Sequence, residues 1–346
     1  MKQLTLAVAL GLVAASGVAQ ARDNIEIVGS STVFPFSTAV AEQFAKKNGG
    51  AAPKVESTGT GGGMKLFCAG AGIETPDITN ASRRMKKSEM ETCQKNGVNE
   101  VTEIKIGYDG LAVAQSKNAE PIKLSARELY LAVAKEIPQP DGSFVANTYQ
   151  TWKDVNPNLP AHAIEVIGPP PTSGTRDSFV ELGVEKGCML FQGIPELKKK
   201  DEKLFKEKCH TLREDGKFVE AGENDNLIVQ KLQANPKAVG VFGYSFLEQN
   251  ADALKAVAIA GVEPSVATVM DGSYPMARSM YIYAKNGHVG QVAGIKEFLA
   301  EFTSEAAMGT DGYLADKGLI PLKADELKAS QDAAANLKSV SVNSLK

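Results

Sequence analysis

Gly29-Ser30-Ser31-Thr32-Val33-Phe34-Pro35-Phe36 follows an apolar run, Ile25, Ile27 and Val28, and precedes the helical spacing of Ala39, Val40 and Phe44. A short strand therefore delivers small hydroxyl residues onto the start of a helix, where the first N–H groups have no intrahelical partner. An ordinary N-cap asks for the same residue types. So does an anion site, because hydroxyls, N–H groups and the helix dipole converge there. This stretch alone fits both readings.

The pattern recurs. Ile164-Glu165-Val166-Ile167-Gly168 reads as a strand, and Pro169-Pro170-Pro171-Thr172-Ser173-Gly174-Thr175-Arg176-Asp177-Ser178 turns from it into a second helix. Two strand–hydroxyl–helix turns argue for one shared ligand more than for two unrelated caps. Lys54-Val55-Glu56-Ser57 is a brief strand that runs into Thr58-Gly59-Thr60-Gly61-Gly62-Gly63-Met64. These glycines let N–H groups approach a ligand without a Cβ in the way, with a helix expected from near Gly62. The stretch is neither GxxxxGK[ST] nor GxGxxG, since Met64 stands where the last glycine would be. Asp77-Ile78-Thr79-Asn80-Ala81-Ser82-Arg83-Arg84 is a strand ending on a hydroxyl and two guanidiniums, either solvated or set to grip an oxyanion.

Two longer strands are candidates to cross between lobes: residues 104–114, bent at Gly107 and Gly110, and residues 272–284 after the Gly272-Ser273-Tyr274-Pro275 turn. Ser125 with Glu128 predicts a capping box before Leu129. Residues 138–160, rich in Pro, Gly and Asn, read as surface loop and carry the single tryptophan, Trp152. Lysine-dense residues 196–217 read as a solvated helical excursion. Helical spacing is also expected over 224–234, 292–303 and 304–316, with a helical or frayed tail beyond Leu322.

The chain has 346 residues and a net charge of −3. Its basic residues are dispersed, so nucleic acid is not an expected partner. Lys2, the apolar run from Leu4 to Val13 and Ala19-Gln20-Ala21 form a secretory signal peptide over residues 1–21, cleaved before Arg22. No cysteine follows the small residues, so no lipid anchor is expected. No later stretch reaches the roughly 18 apolar residues of a membrane span. The exported part is expected to be soluble, periplasmic and long enough for two domains. An even count of four cysteines, Cys68, Cys93, Cys188 and Cys209, favours disulfides in an oxidising compartment. Local pairing gives Cys68–Cys93 and Cys188–Cys209, one of the three pairings four cysteines allow. The three histidines lack metal-binding spacing, so neither metal nor cofactor is implied.

Taken in order, Gly29-Ser30-Ser31-Thr32-Val33 with Pro35, Thr58-Gly59-Thr60-Gly61-Gly62, Ala81-Ser82-Arg83, Ser173-Gly174-Thr175-Arg176-Asp177, Asn235-Pro236 with Gly240 to Tyr244, and Gly272-Ser273-Tyr274-Pro275 resemble the PstS-like phosphate-binding proteins of ABC transporters. The resemblance spans nearly the whole exported chain. It implies an α/β, two-lobed periplasmic-binding-protein fold of type II with two interdomain crossovers. Lobe 1 would hold residues 22–109 and 272–346, and lobe 2 residues 110–271. Phosphate would lie between them, held by Ser31, Thr32, the N–H of Val33 or Phe34, Thr60, Ser173, Gly174 and Thr175. A monomer serving an inner-membrane ABC permease is expected, without covalent chemistry. Two positions depart from the family pattern. An Asp that follows Ala-Ser in some members is Arg83 here, and an Arg that precedes Ser-Gly-Thr in many is replaced by Pro169, Pro170 and Pro171. Arg83 and Arg176 are expected to supply the charge from new positions, and Asp109 or Asp177 to accept the proton of hydrogen phosphate.

Other readings remain open on sequence. A secreted hydrolase would use Ser31 or Ser173 as nucleophile, although no GxSxG elbow is present and no histidine lies near either serine. A sensing or adhesion protein on the same scaffold is a second alternative. A third is a binding protein for sulfate, molybdate or arsenate.

Overall fold

A computed structural model describes residue 22 and residues 24–171, 173–222 and 225–345. The expected signal peptide, residues 1–21, lies outside the described residues. Strands and helices alternate from the start: β1 (Glu26–Gly29), α1 (Phe34–Asn48), β2 (Lys54–Ser57), α2 (Thr60–Phe67), β3 (Ile78–Ala81) and α3 (Lys87–Lys95). β1 pairs in parallel with β2 and β3, so the carboxyl ends of all three strands meet at one edge. Phe36, Val40 and Ala41 of α1 are buried with Ile27 and Ile78 of the sheet. On the outer side of α1, Phe44 meets Phe298, ring centroids 5.7 Å apart.

β4 (Val101–Ser116) is the long strand expected near residues 104–114. At about 3.3 Å per residue it spans roughly 50 Å, enough to run through both lobes. Beyond it come α4 (Ala126–Val133), β5 (Val166–Gly168), α5 (Gly174–Phe179), α6 (Ile194–Lys200), α7 (Glu202–Cys209), β6 (Phe218–Glu220), α8 (Asp225–Ala234), β7 (Val239–Gly243) and β8 (Leu254–Ala256). The chain returns in β9 (Ala277–Lys285) and ends with α9 (Ile295–Phe302) and α10 (Ala324–Asn336). Nine strands form one sheet in the order β2-β1-β3-β9-β4-β7-β5-β6, with β8 also on β4. β9 lies antiparallel to β4 over residues 101–110, and β7 takes over from Leu111. Every residue of β4 from Gly110 to Ser116 is buried, consistent with an apolar run that has neighbours on both faces.

Both expected disulfides are present. Cys68 at the end of α2 joins Cys93 of α3, and Cys188 joins Cys209 at the end of α7. The capping box also forms, with Glu128 N–H donating to Ser125 Oγ at 3.1 Å and Ser125 N–H to Glu128 Oε2 at 2.6 Å.

Three expectations need correction. α2 begins at Thr60, ahead of Gly62, because Gly59 makes the turn at φ +71° and the glycines after it are helical. They are small for packing: a Cβ on Gly63 would come within 2.4 Å of Gly29 Cα. The helix expected over 304–316 is cut to Glu305–Met308, since a Cβ on Gly309 or Gly312 would meet a backbone oxygen at 2.4 Å where the chain doubles back. Residues 138–160 are not all surface loop. Glu136–Pro138 and Phe144–Ala146 form a hairpin, and Thr151 caps a short helix that sinks Trp152 to 1% exposure.

Candidate functional site

The carboxyl ends of parallel strands are where open α/β sheets bind ligands, at points where strand order reverses. Here β1 leads to Ser30 and the turn before α1, and β5 leads to Ser173 and α5. These two turns face each other across a cleft of about 510 Å³, lined by Ser31, Thr32, Phe34, Ser57, Asp109, Ser173, Gly174, Thr175 and Ser178 among others. They approach closely enough that a Cβ on Gly174 would lie 2.6 Å from the Ser31 carbonyl oxygen. Glycine is therefore required at the first position of α5 for contact, not for backbone freedom.

Four side chains knit the two turns together. Thr32 Oγ1 and Ser178 Oγ are 3.1 Å apart, and Ser178 Oγ donates to Asp109 Oδ2 at 3.1 Å. Arg278 donates to Thr32 Oγ1 at 2.7 Å and to Ser178 Oγ, and its Nε lies 3.4 Å from Asp109 Oδ2. Its other terminal nitrogen meets Glu181 at 2.6 Å. The Arg278 side chain is 9% exposed, so a charge that would be costly to bury alone has two carboxylates and two hydroxyls around it. Ser31 Oγ donates to Asp177 Oδ2.

The expected residues divide into two groups. Ser31, Thr32, Phe34, Ser173, Gly174 and Thr175 line the cleft. Within it, Ser173 Oγ accepts from Thr175 N–H at 3.2 Å, so the cap reading of this turn also holds. Phe34 N–H is taken by the Ser30 carbonyl at 3.0 Å, and Val33 is wholly buried with its N–H 3.4 Å from Ser30 Oγ. Thr60 and the buried Ser82 meet Oγ to Oγ at 3.0 Å, and neither is in the lining. Arg83 turns away to a two-pronged pair with Glu89 at 2.7 and 2.9 Å. Burial works against its charge, but the hydrogen bonds and field of Glu89 hold its guanidinium above the ordinary value. Arg176 also turns away, donating to the Pro169 carbonyl at 2.9 Å and lying 4.4 Å over the Phe218 ring. Burial lowers its affinity for a proton, partly offset by Glu220.

Arg278, Ser178 and Glu181 were not singled out from sequence. Ser178 was legible as one helical turn past Gly174. Arg278 is the cross-strand partner of Asp109, a relation that only the β4–β9 register reveals. Among the described residues no cluster of His, Cys, Asp or Glu has the form of a metal site, and no helix is long and apolar enough to cross a membrane.

The PBP superfamily domain matches residues 14–306. Protein SphX of Synechococcus elongatus is 32% identical over 309 residues, covering 87% of this chain and 78% of its own. The phosphate-binding protein PstS of Staphylococcus saprophyticus is 31% identical over 280 residues, 78% of this chain and 73% of that one. A solved structure of a possible phosphate-binding protein from Planctomyces limnophilus superposes with a TM-score of 0.72 at 28% identity, covering 91% of this chain and 98% of that one. The two-lobed α/β architecture and the order of motifs agree with these matches, and the chain belongs to the PBP superfamily, within the family of Protein SphX and the phosphate-binding protein PstS.

Proposed function

We propose that this protein binds hydrogen phosphate in the cleft between the Ser31-Thr32 and Ser173-Gly174-Thr175 turns and delivers it in the periplasm to an ABC permease. The observation that carries the site is Arg278, a buried guanidinium within hydrogen-bond reach of Thr32 and Ser178, one from each side of the cleft. Charge-assisted donors of this kind, with the hydroxyls of Ser31, Thr32, Ser173 and Thr175, suit a small oxyanion. In this reading Arg278 takes the part expected of Arg83 and Arg176, which are engaged elsewhere. The lobes turn about β4 near Gly110 and about the entry to β9 near Met276, so that binding is closure without a covalent step. Family membership supports a non-catalytic role. Ser31 is joined to Asp177, and Ser173 caps its helix.

Asp109 is the acceptor in this reading. Its carboxylate stands beside Ser178 and Arg278 and would receive the proton that hydrogen phosphate keeps and sulfate lacks. Calorimetric titration of phosphate-stripped protein should show binding of phosphate and arsenate with sulfate far weaker. Asp109→Asn should narrow that gap. Clear sulfate binding with no heat from phosphate would overturn the ligand assignment.

A further inference from the structure

The cleft of about 510 Å³ holds far more than one phosphate, whose four oxygens need roughly the room of four waters. Beyond the two hydroxyl turns its lining continues with Asp225, Gly243, Ser245 and Phe246. Gly243 ends β7 and pairs with Leu111, two residues past Asp109 on β4. That step is about 7 Å along the strand, and residues two apart or directly opposite share one face of a sheet. Where Gly243 lacks a side chain there is a notch. A Cβ in it would lie 3.8 Å from Asp225 Oδ2, 3.9 Å from Phe246 Cδ2 and 3.9 Å from Ser245 Oγ, so a carboxylate, a ring and a hydroxyl gather around one gap. Asp225 is buried at the start of α8, and its Oδ2 accepts from Gly243 N–H at 3.2 Å. A carboxylate has acceptor sites beyond that one. Lys317 also lines the cleft, and its neighbour Gly318 comes so near that a Cβ on it would sit 3.2 Å from Ser245 Oγ.

This wall suits hydroxyl groups better than a second charge. An anionic group would oppose Asp225 and a cationic one Lys317, whereas a hydroxyl donates to the carboxylate, accepts from the ammonium and leaves C–H faces for Phe246. We infer that the cleft also takes small phosphate monoesters of polyols. The phosphoryl group lies between the hydroxyl turns, and a hydroxyl of the alcohol donates to Asp225 beside Ser245. This inference rests on the phosphate reading and widens its ligand class. A three-carbon alcohol such as glycerol has the length for a step of about 7 Å past Asp109. The proton that Asp109 receives sets a limit: a monoester gives it up with a pKa of about 6, and a diester has none to offer. A lipid headgroup, being a diester, is therefore outside the class.

Phosphate-stripped protein is titrated calorimetrically at pH ~6, where about half of a monoester keeps its proton. The ligands are inorganic phosphate, glycerol 3-phosphate, ethyl phosphate and the diester glycerophosphoethanolamine, each ester freed of inorganic phosphate. Glycerol 3-phosphate should bind about tenfold or more tighter than ethyl phosphate, the worth of one hydrogen bond to a charged acceptor, and the diester should give no heat. Gly243→Ala fits the folded chain, since φ there is −62° and the nearest atom outside the adjoining residues is 3.8 Å from the new methyl. It fills the notch, so it should abolish the preference for glycerol 3-phosphate while inorganic phosphate binds as before. Equal affinity for the two monoesters, binding of the diester, or a preference that survives Gly243→Ala overturns the inference and leaves the phosphate reading standing. No heat from inorganic phosphate in the wild type would overturn both.

Discussion

Gly174→Ala tests whether the two hydroxyl turns close on one ligand. The added methyl would lie 2.6 Å from the Ser31 carbonyl oxygen, 2.8 Å from its carbon and 3.0 Å from Thr32 Cα. All three are backbone atoms, so no side-chain rotation relieves the contact; either the turns move apart or the strain stays. Overpacking of this kind costs about 1–3 kcal/mol, which converts to roughly 5- to 150-fold in Kd if the cost falls only on the closed state. Within α5 itself alanine is the better helix former, so the stripped protein should lose no thermal stability. Gly63→Ala is the counterpart. Its methyl would meet Gly29 Cα at 2.4 Å and Thr79 Oγ1 at 2.7 Å, a clash between α2 and β1 that no lobe movement relieves. That variant should therefore lose about 1–3 kcal/mol of stability. Calorimetric titration and thermal unfolding of the same samples separate the two outcomes. Wild-type phosphate affinity in Gly174→Ala would refute the idea that these turns meet around the ligand.

Arg278→Lys keeps the charge but loses the fork that reaches Thr32, Ser178, Asp109 and Glu181; phosphate affinity should fall by about 1.5–3 kcal/mol in the same titration. Replacing Cys188 and Cys209 with serine opens a loop spanning 21 residues and should lower stability in urea by about 3 kcal/mol. Glu185 has a pH signature. Burial would raise its pKa, but hydrogen bonds from His210 and Lys198 outweigh that and pull it down to about 2. Its contribution is full above the unfolded value of 4.5 and is lost as pH falls from there towards 2. At a side chain 18% exposed, with solvent screening allowed for, it amounts to about 2 kcal/mol. Glu185→Gln should flatten the unfolding curve over that acid window, and an unchanged pH dependence would contradict the assignment.

The fold was legible because its key steps are local. A strand that ends in glycine and serine and then enters a helix is visible within ten residues, and it occurs at Gly29, Ser57 and Gly168 alike. Disulfide pairing was legible as the nearest-neighbour choice. Trp152 was misread because Pro, Gly and Asn report how the backbone turns and say nothing of what the turn covers. The arginines failed for a different reason. Arg83 and Arg176 stand beside the right turns in sequence, yet each finds nearer partners, Glu89 in one case and the Pro169 carbonyl with the Phe218 ring in the other. A guanidinium on a flexible stem goes where the donors of its fork are best met. Arg278 shows the converse. Its position follows from strand register, with Asp109 opposite it across more than 160 residues of chain, and no local pattern encodes that pairing.

The same register explains how a turn at the ligand can move a strand at the crossing. α5 does not stop at Phe179: a π-turn over Val180–Val184 carries it into Glu185–Cys188, making one continuous rod. Its first two turns hold Asp177 against Ser31 and Ser178 against Thr32, and its middle holds Glu181 against Arg278. Past the π-turn, Lys186 donates to the Pro275 carbonyl just before β9. The extra residue of a π-turn shifts the helix face, and here Gly183 lies so close to the return chain that a Cβ would sit 3.3 Å from Met276 Cε. The far end is fixed by Cys188–Cys209 and by the pairing of Glu185 with Lys198 and His210. A rod pinned at one end and touching both the ligand turn and the crossing strand has little freedom to move one without the other. In the closure proposed above, a shift of the Ser173-Gly174-Thr175 turn would reach residues 275–278 through these contacts.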